Sequence, residues 1–133
     1  MPKVHLVAVL LLGPTLWACG SSGSGITTPG TSSTPRVSIV SGAQNKGTSA
    51  FSPNPLTLSL TNGDAVRWSN DDRPGTQYSA TGATHNIISD DNLFTSGNLA
   101  PGASFTTHLS VTGKYAYHCT IHPTMKGTIT VTP

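Results

Sequence analysis

Between residues 36 and 133 the apolar residues occur in short runs that are separated by Gly, Pro, Asn or Asp. In Leu56-Thr57-Leu58-Ser59-Leu60 the alternation is strict, which places the three Leu side chains on one face of an extended strand. Other runs cover residues 37–40, 65–68, 86–88, 105–111, 115–119 and 128–131. Short strands with turn signals between them predict an all-β protein, a two-sheet β-sandwich of about seven to eight strands.

The composition supports the same fold class. Charged residues make up only 9% of the chain, and all five acidic residues are Asp. Without Glu, the Glu/Lys pairing and helix propensity typical of soluble helices are missing, so a helix bundle or coiled coil is excluded. The net charge of +2 comes from scattered residues rather than a basic stripe, and we therefore expect no nucleic-acid partner.

The first residues resemble an export signal. One Lys precedes a short apolar segment that is too short to span a bilayer. The segment closes with Leu16-Trp17-Ala18-Cys19, which resembles the bacterial lipobox. Residues 1–18 are therefore predicted to be a lipoprotein signal peptide and Cys19 the lipidated residue, which implies the bacterial cell envelope, on the periplasmic or extracellular side. The alternative is an ordinary secretory signal that leaves Cys19 as a free thiol or paired with Cys119.

A low-complexity segment follows. Residues 20–35 are Gly, Ser, Thr or Pro except for Ile26, a composition that cannot bury enough surface to order itself. With Cys19 at its start, this segment is predicted to be a flexible membrane tether with a reach of roughly 20–25 Å. The folded domain is then residues 36–133.

Three candidate metal ligands stand at three-residue intervals in one loop. Cys119, His122 and Met125 supply a thiolate, an imidazole and a thioether between two predicted strands. The soft sulfur donors favour Cu(I) while imidazole also suits Cu(II), so the set serves both oxidation states with little rearrangement. The spacing and the donor types therefore indicate a site that suits copper as either Cu(II) or Cu(I).

A further imidazole has to come from elsewhere in the chain. His118 points to the opposite face from Cys119 by strand geometry, and His108 lies in the middle of a predicted strand. His85 follows a long loop and begins a strand, and it is the preferred candidate. His118 is interpreted as a solvated strand residue.

Residues 36–133 resemble the cupredoxin family of blue copper proteins, and its plastocyanin and amicyanin branch in particular. The pattern is an isolated His-Asn followed distantly by Cys-x-x-His and a Met, and the short Cys-x-x-His-x-x-Met spacing favours the amicyanin-like form. Matching residues are Gly63-Asp64, Trp68, Asn70, His85-Asn86, Phe94, Leu99, Pro101-Gly102, Phe105, Gly113, Tyr115, Tyr117 and the ligand loop.

The resemblance implies a Greek-key sandwich and a type-1 copper site. His85, Cys119 and His122 would be the trigonal ligands and Met125 a long axial ligand. Asn86 would join the two ligand-bearing segments by hydrogen bonds, with Thr120 as its partner, while backbone donors tune the Cys119 sulfur.

The chain departs from this branch between Trp68 and His85, where the approach to the first His is longer. The preferred interpretation of residues 71–84 is an exposed loop tolerated by a rigid scaffold. The alternative is a loop that reaches the metal end of the sandwich and shapes partner docking.

The predicted function is a membrane-tethered one-electron carrier that is not an enzyme. A copper oxidase needs extra His-x-His motifs, and Thr120 stands where such a motif would continue after His118. The resemblance also implies that redox partner proteins dock near His122, where Ala100, Pro101 and Pro123 would form an apolar patch. It makes His118, which adjoins Cys119, an alternative site of electron exit. The protein is expected to be a monomer. The alternatives are a periplasmic copper chaperone without turnover, a zinc-loaded structural module and metal-free adhesion.

Overall fold

The computed structural model describes residues 33–77 and 79–133. The predicted signal peptide (residues 1–18), the lipidation site Cys19 and residues 20–32 of the predicted tether lie outside the described residues. No helix in the described part of the chain is long and apolar enough to cross a membrane.

The described residues form eleven strands and three short 3-10 helices. The strands are β1 (Arg36–Ile39), β2 (Phe51–Ser52), β3 (Leu56–Ser59), β4 (Ala65–Asn70), β5 (Pro74–Thr76), β6 (Ser79–Thr81), β7 (His85–Ser89), β8 (Thr95–Leu99), β9 (Ser104–His108), β10 (Gly113–His118) and β11 (Lys126–Thr132). The 3-10 helices are Ala43–Asn45, Gly47–Ala50 and Leu60–Asn62.

The strands build two sheets and a separate hairpin. One sheet has the order β2-β1-β4-β9, the other has the order β3-β11-β10-β7-β8, and β5 pairs with β6 alone. The β1/β4 and β3/β11 pairs are parallel and the other pairs are antiparallel. The predicted all-β Greek-key sandwich is therefore confirmed.

Aromatic rings join the two sheets across the core. Trp68 of β4 is fully buried and lies 5.3 Å from the ring of Tyr117 in β10, edge to face. Phe94 and Phe105 lie on the same Trp ring at 5.5 and 5.8 Å. Such aromatic contacts add to the burial of apolar area and fix how the sheets face one another.

All seven predicted runs are strands, but the strand count is higher than the expected seven to eight. The additional strands are β2, β5, β6 and β8, the longest of which has five residues. β8 has the sequence Thr-Ser-Gly-Asn-Leu and lies at the edge of its sheet, where only Leu99 is buried. An edge strand of this kind has no apolar alternation to detect, because little of it packs against the core.

The sheet order decides where the candidate ligands meet. β10 lies between β7 and β11, and β7 runs antiparallel to β10. The beginning of β7 therefore lies at the same end of the sandwich as the end of β10. His85 begins β7 and Cys119 directly follows β10, so the topology brings them to one end of the domain.

Candidate metal centre

The loop after β10 is folded back on itself by two backbone hydrogen bonds. The N–H of Cys119 donates to the carbonyl of Met125 at 3.2 Å, and the N–H of Met125 donates to the carbonyl of His122 at 2.9 Å. Cys119 and Met125 are fully buried, while His122 is half-buried. Cys119 is a free thiol. The loop therefore buries the Cys119 thiol and leaves the His122 imidazole partly accessible to solvent.

His85 is held on the neighbouring strand. It pairs with Leu99 of β8 and is fully buried. Burial lowers the pKa of His85 below its ordinary value, because the charged imidazolium is poorly solvated there. A neutral imidazole is the form that binds metals.

Three ligand atoms converge at this end of the sandwich. The Nδ1 atoms of His85 and His122 are 3.1 Å apart, and the Cys119 Sγ lies 3.9 Å from the His122 Nδ1. All three residues offer ligand atoms within 4.8 Å of one another. Two ligand atoms bound to one first-row ion at about 2.0–2.3 Å each are at most about 4–4.6 Å apart, so the separations of 3.1 and 3.9 Å fit a single metal ion.

The donor chemistry fits copper. One thiolate and two imidazoles, with a buried thioether in the same loop, suit both Cu(I) and Cu(II), whereas zinc sites are normally completed by Cys, His or carboxylate. The structure brings together His85, Cys119 and His122, three of the four residues that the sequence analysis named as candidate ligands. Met125 lies at the end of the ligand loop with its side chain buried in the core.

Asn86 and Thr120 lie beside the ligands and contact each other. The Asn86 side chain donates to Thr120 Oγ1 at 2.7 Å and accepts from the Thr120 N–H at 2.8 Å. The Asn86 N–H points at Cys119 Sγ at 3.5 Å. The segments that carry His85 and Cys119 are therefore tied directly together, and one backbone donor reaches the sulfur.

Asp72 is a site residue that sequence reasoning missed. It is fully buried, and its Oδ2 lies 3.1 Å from His85 Nε2, the ring nitrogen that does not face His122. The preferred interpretation of residues 71–84 as a merely exposed loop is therefore wrong, because this loop carries a carboxylate into contact with a candidate ligand. Nothing in the sequence distinguishes Asp72 from the adjacent Asp71.

Burial alone raises the pKa of Asp72, since a carboxylate is poorly solvated there. Hydrogen bonds from the Gly42 N–H, His85 and Ser79 outweigh that effect and lower its pKa below the ordinary value. Asp72 is therefore a carboxylate at neutral pH.

The other two histidines lie apart from the ligand cluster. His118 Nδ1 is 2.6 Å from Asp90 Oδ1, and His108 Nδ1 is 2.9 Å from Asp64 Oδ1. The side chain of His108 is 68% exposed, as expected for a residue outside the site. His118 is partly exposed on the strand face opposite to Cys119.

A two-sheet sandwich that carries one thiolate and two imidazoles at one end defines a cupredoxin-type metal protein. The sequence profile of the copper-binding proteins of the plastocyanin/azurin family matches residues 38–132. The chain belongs to this family, whose members bind copper, and copper is its cofactor.

Solved structures agree with this assignment. A purple cupredoxin from Nitrosopumilus maritimus is similar with a TM-score of 0.61 and 30% identity, over 74% of this chain and 99% of that one. A reduced, Cu(I) form of an amicyanin variant is similar with a TM-score of 0.55 and 20% identity, over 74% of this chain and 82% of that one. The second likeness shows the fold alone. No curated protein matches the chain closely enough in sequence to count as a relative.

Proposed function

We propose that this chain is a type-1 copper electron carrier, with His85, Cys119, His122 and Met125 as the metal ligands. The observation that carries the proposal is the convergence of one buried thiol and two imidazoles within 4.8 Å on a cupredoxin sandwich. Bound copper supplies a one-electron couple between Cu(II) and Cu(I). The residues hold the ligand atoms in place, so that little has to move when the charge changes.

Electrons are proposed to pass through the imidazole of His122. His85, Cys119 and Met125 are fully buried, whereas His122 is half-buried and borders exposed residues, namely Ile121 and Pro123. Ala100 and Pro101 are also exposed and directly follow Leu99, the strand partner of His85. An apolar surface at this end suits brief docking of redox partner proteins, with weak long-range steering because the net charge is only +2.

Burial of the ligands favours a carrier over a copper chaperone. Metal exchange between proteins needs ligands that a second protein can reach, and three of the four proposed ligands have no exposed surface. An enzyme would in addition need an open coordination position for a substrate. We therefore propose electron transfer without catalysis.

The proposed setting is the bacterial cell envelope. Lipidated Cys19 would anchor the protein to a membrane on the periplasmic or extracellular side, and residues 20–35 would hold a monomeric domain away from the surface. Labelling with a radioactive fatty acid tests this part. Cys19→Ser is expected to lose the label and to move to the soluble fraction, whereas a labelled Cys19→Ser protein contradicts lipidation at Cys19.

The copper site is tested by the visible spectrum of the full-length chain, purified without metal and then given Cu(II). An intense thiolate-to-copper band is expected. Cys119→Ser and His85→Ala are expected to lose it, while His108→Ala, which removes an exposed histidine outside the cluster, is expected to keep it. A colourless wild-type product contradicts the carrier proposal, and a coloured product without reversible voltammetry favours the chaperone.

A further inference from the structure

Hydrogen bonds at both carboxylate oxygens fix the orientation of the Asp72 side chain. Oδ1 accepts from the backbone N–H of Gly42 at 2.9 Å, and Oδ2 faces His85 Nε2 at 3.1 Å. Both Asp72 and His85 are fully buried, so no solvent competes for either contact. A carboxylate can only accept hydrogen bonds, so the partner nitrogen of His85 has to carry a proton.

The loop that carries Asp72 is itself fixed. The Asn70 side chain accepts from the Asp72 N–H at 3.1 Å and donates to the carbonyls of Ala83 and Leu99 at 2.8 and 2.9 Å. The Ala83 N–H in turn donates to the Asp72 carbonyl at 3.2 Å. Both ends of the loop are therefore tied to the strands that present His85.

Gly82 permits the close approach of the two ends of this loop. Its φ is +69°, and a Cβ at this position would lie 2.6 Å from the Asp72 carbonyl oxygen and 2.9 Å from Pro74 Cδ. Any side chain here would push the backbone of Asp72 away. The position of the carboxylate is thus set by backbone contacts rather than by a flexible side chain alone.

The two ring nitrogens of His85 face different neighbours, and one needs a free lone pair whereas the other needs a proton. Nδ1 lies 3.1 Å from His122 Nδ1 at the ligand cluster and needs a free lone pair to bind a metal. Nε2 faces the carboxylate. A neutral imidazole carries a single proton, so placing it on Nε2 leaves Nδ1 free.

From this geometry we infer that Asp72 is a positioning residue, which selects the Nε2-protonated tautomer of His85 and holds the ring ready for copper before the metal arrives. The inference rests on the proposed role of His85 as a ligand. On this inference, the long segment between Trp68 and His85 helps to build the metal site. The negative charge behind the ring also makes His85 a stronger donor and stabilises Cu(II) relative to Cu(I).

Asp72→Asn tests this inference because an amide has one accepting and one donating end. With its oxygen kept on the Gly42 N–H, the amide presents its NH₂ to Nε2 and favours the tautomer with the proton on Nδ1, which blocks the metal. Asp72→Ala removes the carboxylate and all its contacts without offering a donor. Asp71→Asn is the matched control, because it changes the same charge one residue away, at a carboxylate that binds Arg36 and Ser38 instead of His85.

The first measurement is the ¹⁵N shifts of the His85 ring in the metal-free full-length chain. Wild type and Asp71→Asn are expected to show a protonated Nε2 and a bare Nδ1, while Asp72→Asn is expected to shift toward the opposite tautomer. This readout needs no copper and stands even if the carrier proposal fails. A wild-type protein with the proton on Nδ1 overturns the inference, including in the case where the Asp72 variants do not fold.

The second measurement is copper binding. Asp72→Asn and Asp72→Ala are expected to bind Cu(II) about 10- to 100-fold more weakly than wild type and to have a higher reduction potential, with the control unchanged. If the wild type binds Cu(II) with its intense band while both folded Asp72 variants match it in tautomer, affinity and potential, Asp72 does not position His85 and the proposed electron carrier still stands.

Discussion

Two hydrogen bonds, of 2.7 and 2.8 Å, join Asn86 to Thr120 and so connect the segments that present His85 and Cys119. The pair joins residues 34 positions apart in sequence, so it ties the two segments together although the chain keeps them apart. Because both contacts involve one side chain, a single substitution removes them together.

Asn86→Ala is therefore expected to lower the free energy of unfolding by about 1–2 kcal/mol, since two hydrogen bonds of ordinary strength are lost. Thr120→Val removes only the hydroxyl and keeps the N–H that donates to Asn86, so a smaller loss is expected. Urea unfolding of the metal-free chain measures both. Asn98→Ala, at an exposed Asn paired with Asn86 across β7 and β8, is the control and is expected to be close to wild type.

The buried thioether of Met125 gives a second prediction. Met125→Leu keeps the side-chain volume and is expected to cost less than about 1.5 kcal/mol in stability. The visible band is expected to persist, because the thiolate remains, and the reduction potential is expected to rise, because a weak donor to Cu(II) is removed. Voltammetry of the copper-loaded variant checks the direction. Loss of all copper binding contradicts the interpretation of Met125 as a weak axial ligand.

Gly127 lies directly beneath the ring of Tyr117, its partner across β10 and β11. A Cβ at this position would lie 2.7 Å from Tyr117 Cε2 and closer still to Cζ and Oη. The ring cannot move aside, because Phe51 and Trp68 lie against it with centroids at 4.9 and 5.3 Å.

Gly127→Ala is expected to destabilise the chain by about 2–3 kcal/mol through overpacking. Combining it with Tyr117→Leu is expected to cost less than the sum of the two single changes, because the added methyl enters space that the ring has left. Thermal unfolding of the three variants measures this coupling. Strict additivity contradicts the clash between Tyr117 and Gly127 as its cause.

Ile121 tests the proposed docking surface. It is 44% exposed and precedes His122, so Ile121→Lys places a charge at the proposed electron exit. The rate of electron self-exchange between two copies of this chain, measured by NMR line broadening, is expected to fall about tenfold, because like charges then meet at the contact. Val111→Lys is the matched control, since Val111 is 66% exposed and precedes the opposite end of β10. Equal slowing in both variants argues against docking near His122.

The Asp64–His108 pair predicts a pH dependence remote from the metal centre. The hydrogen bond from His108 lowers the pKa of Asp64 below its usual 3.8. The stability from this pair is therefore complete above the unfolded pKa and is lost as the pH falls through the lower folded pKa. Below pH 3.8, the urea midpoint of unfolding is expected to fall less steeply with decreasing pH in Asp64→Asn than in wild type. The difference is expected to be small because the pair is exposed. If the urea midpoints of Asp64→Asn and wild type fall equally steeply below pH 3.8, the Asp64–His108 pair is not the cause of this pH dependence.

The sequence alone was sufficient for the fold class and for most candidate ligands. Alternation in Leu56–Ser59 and β10 is a local property, because successive side chains of a strand point to opposite faces wherever the strand lies. The same rule directs His118 and Cys119 to opposite faces. The Cys119, His122 and Met125 spacing is also local, since a single loop carries all three residues.

The tertiary structure alone decided what surrounds those residues. Asp71 and Asp72 are equivalent in sequence, yet one contacts Arg36 and the other lies buried against His85. That difference arises because Asn70, Gly82 and Gly42 fix the path of the loop. Two of the contacts involved are long-range, since Gly42 binds Asp72 from 30 residues away and the Asn70 amide binds the Leu99 carbonyl 29 residues away. Periodicity reports which face a residue takes, but a carboxylate reaches a particular ring nitrogen only when two segments have packed together.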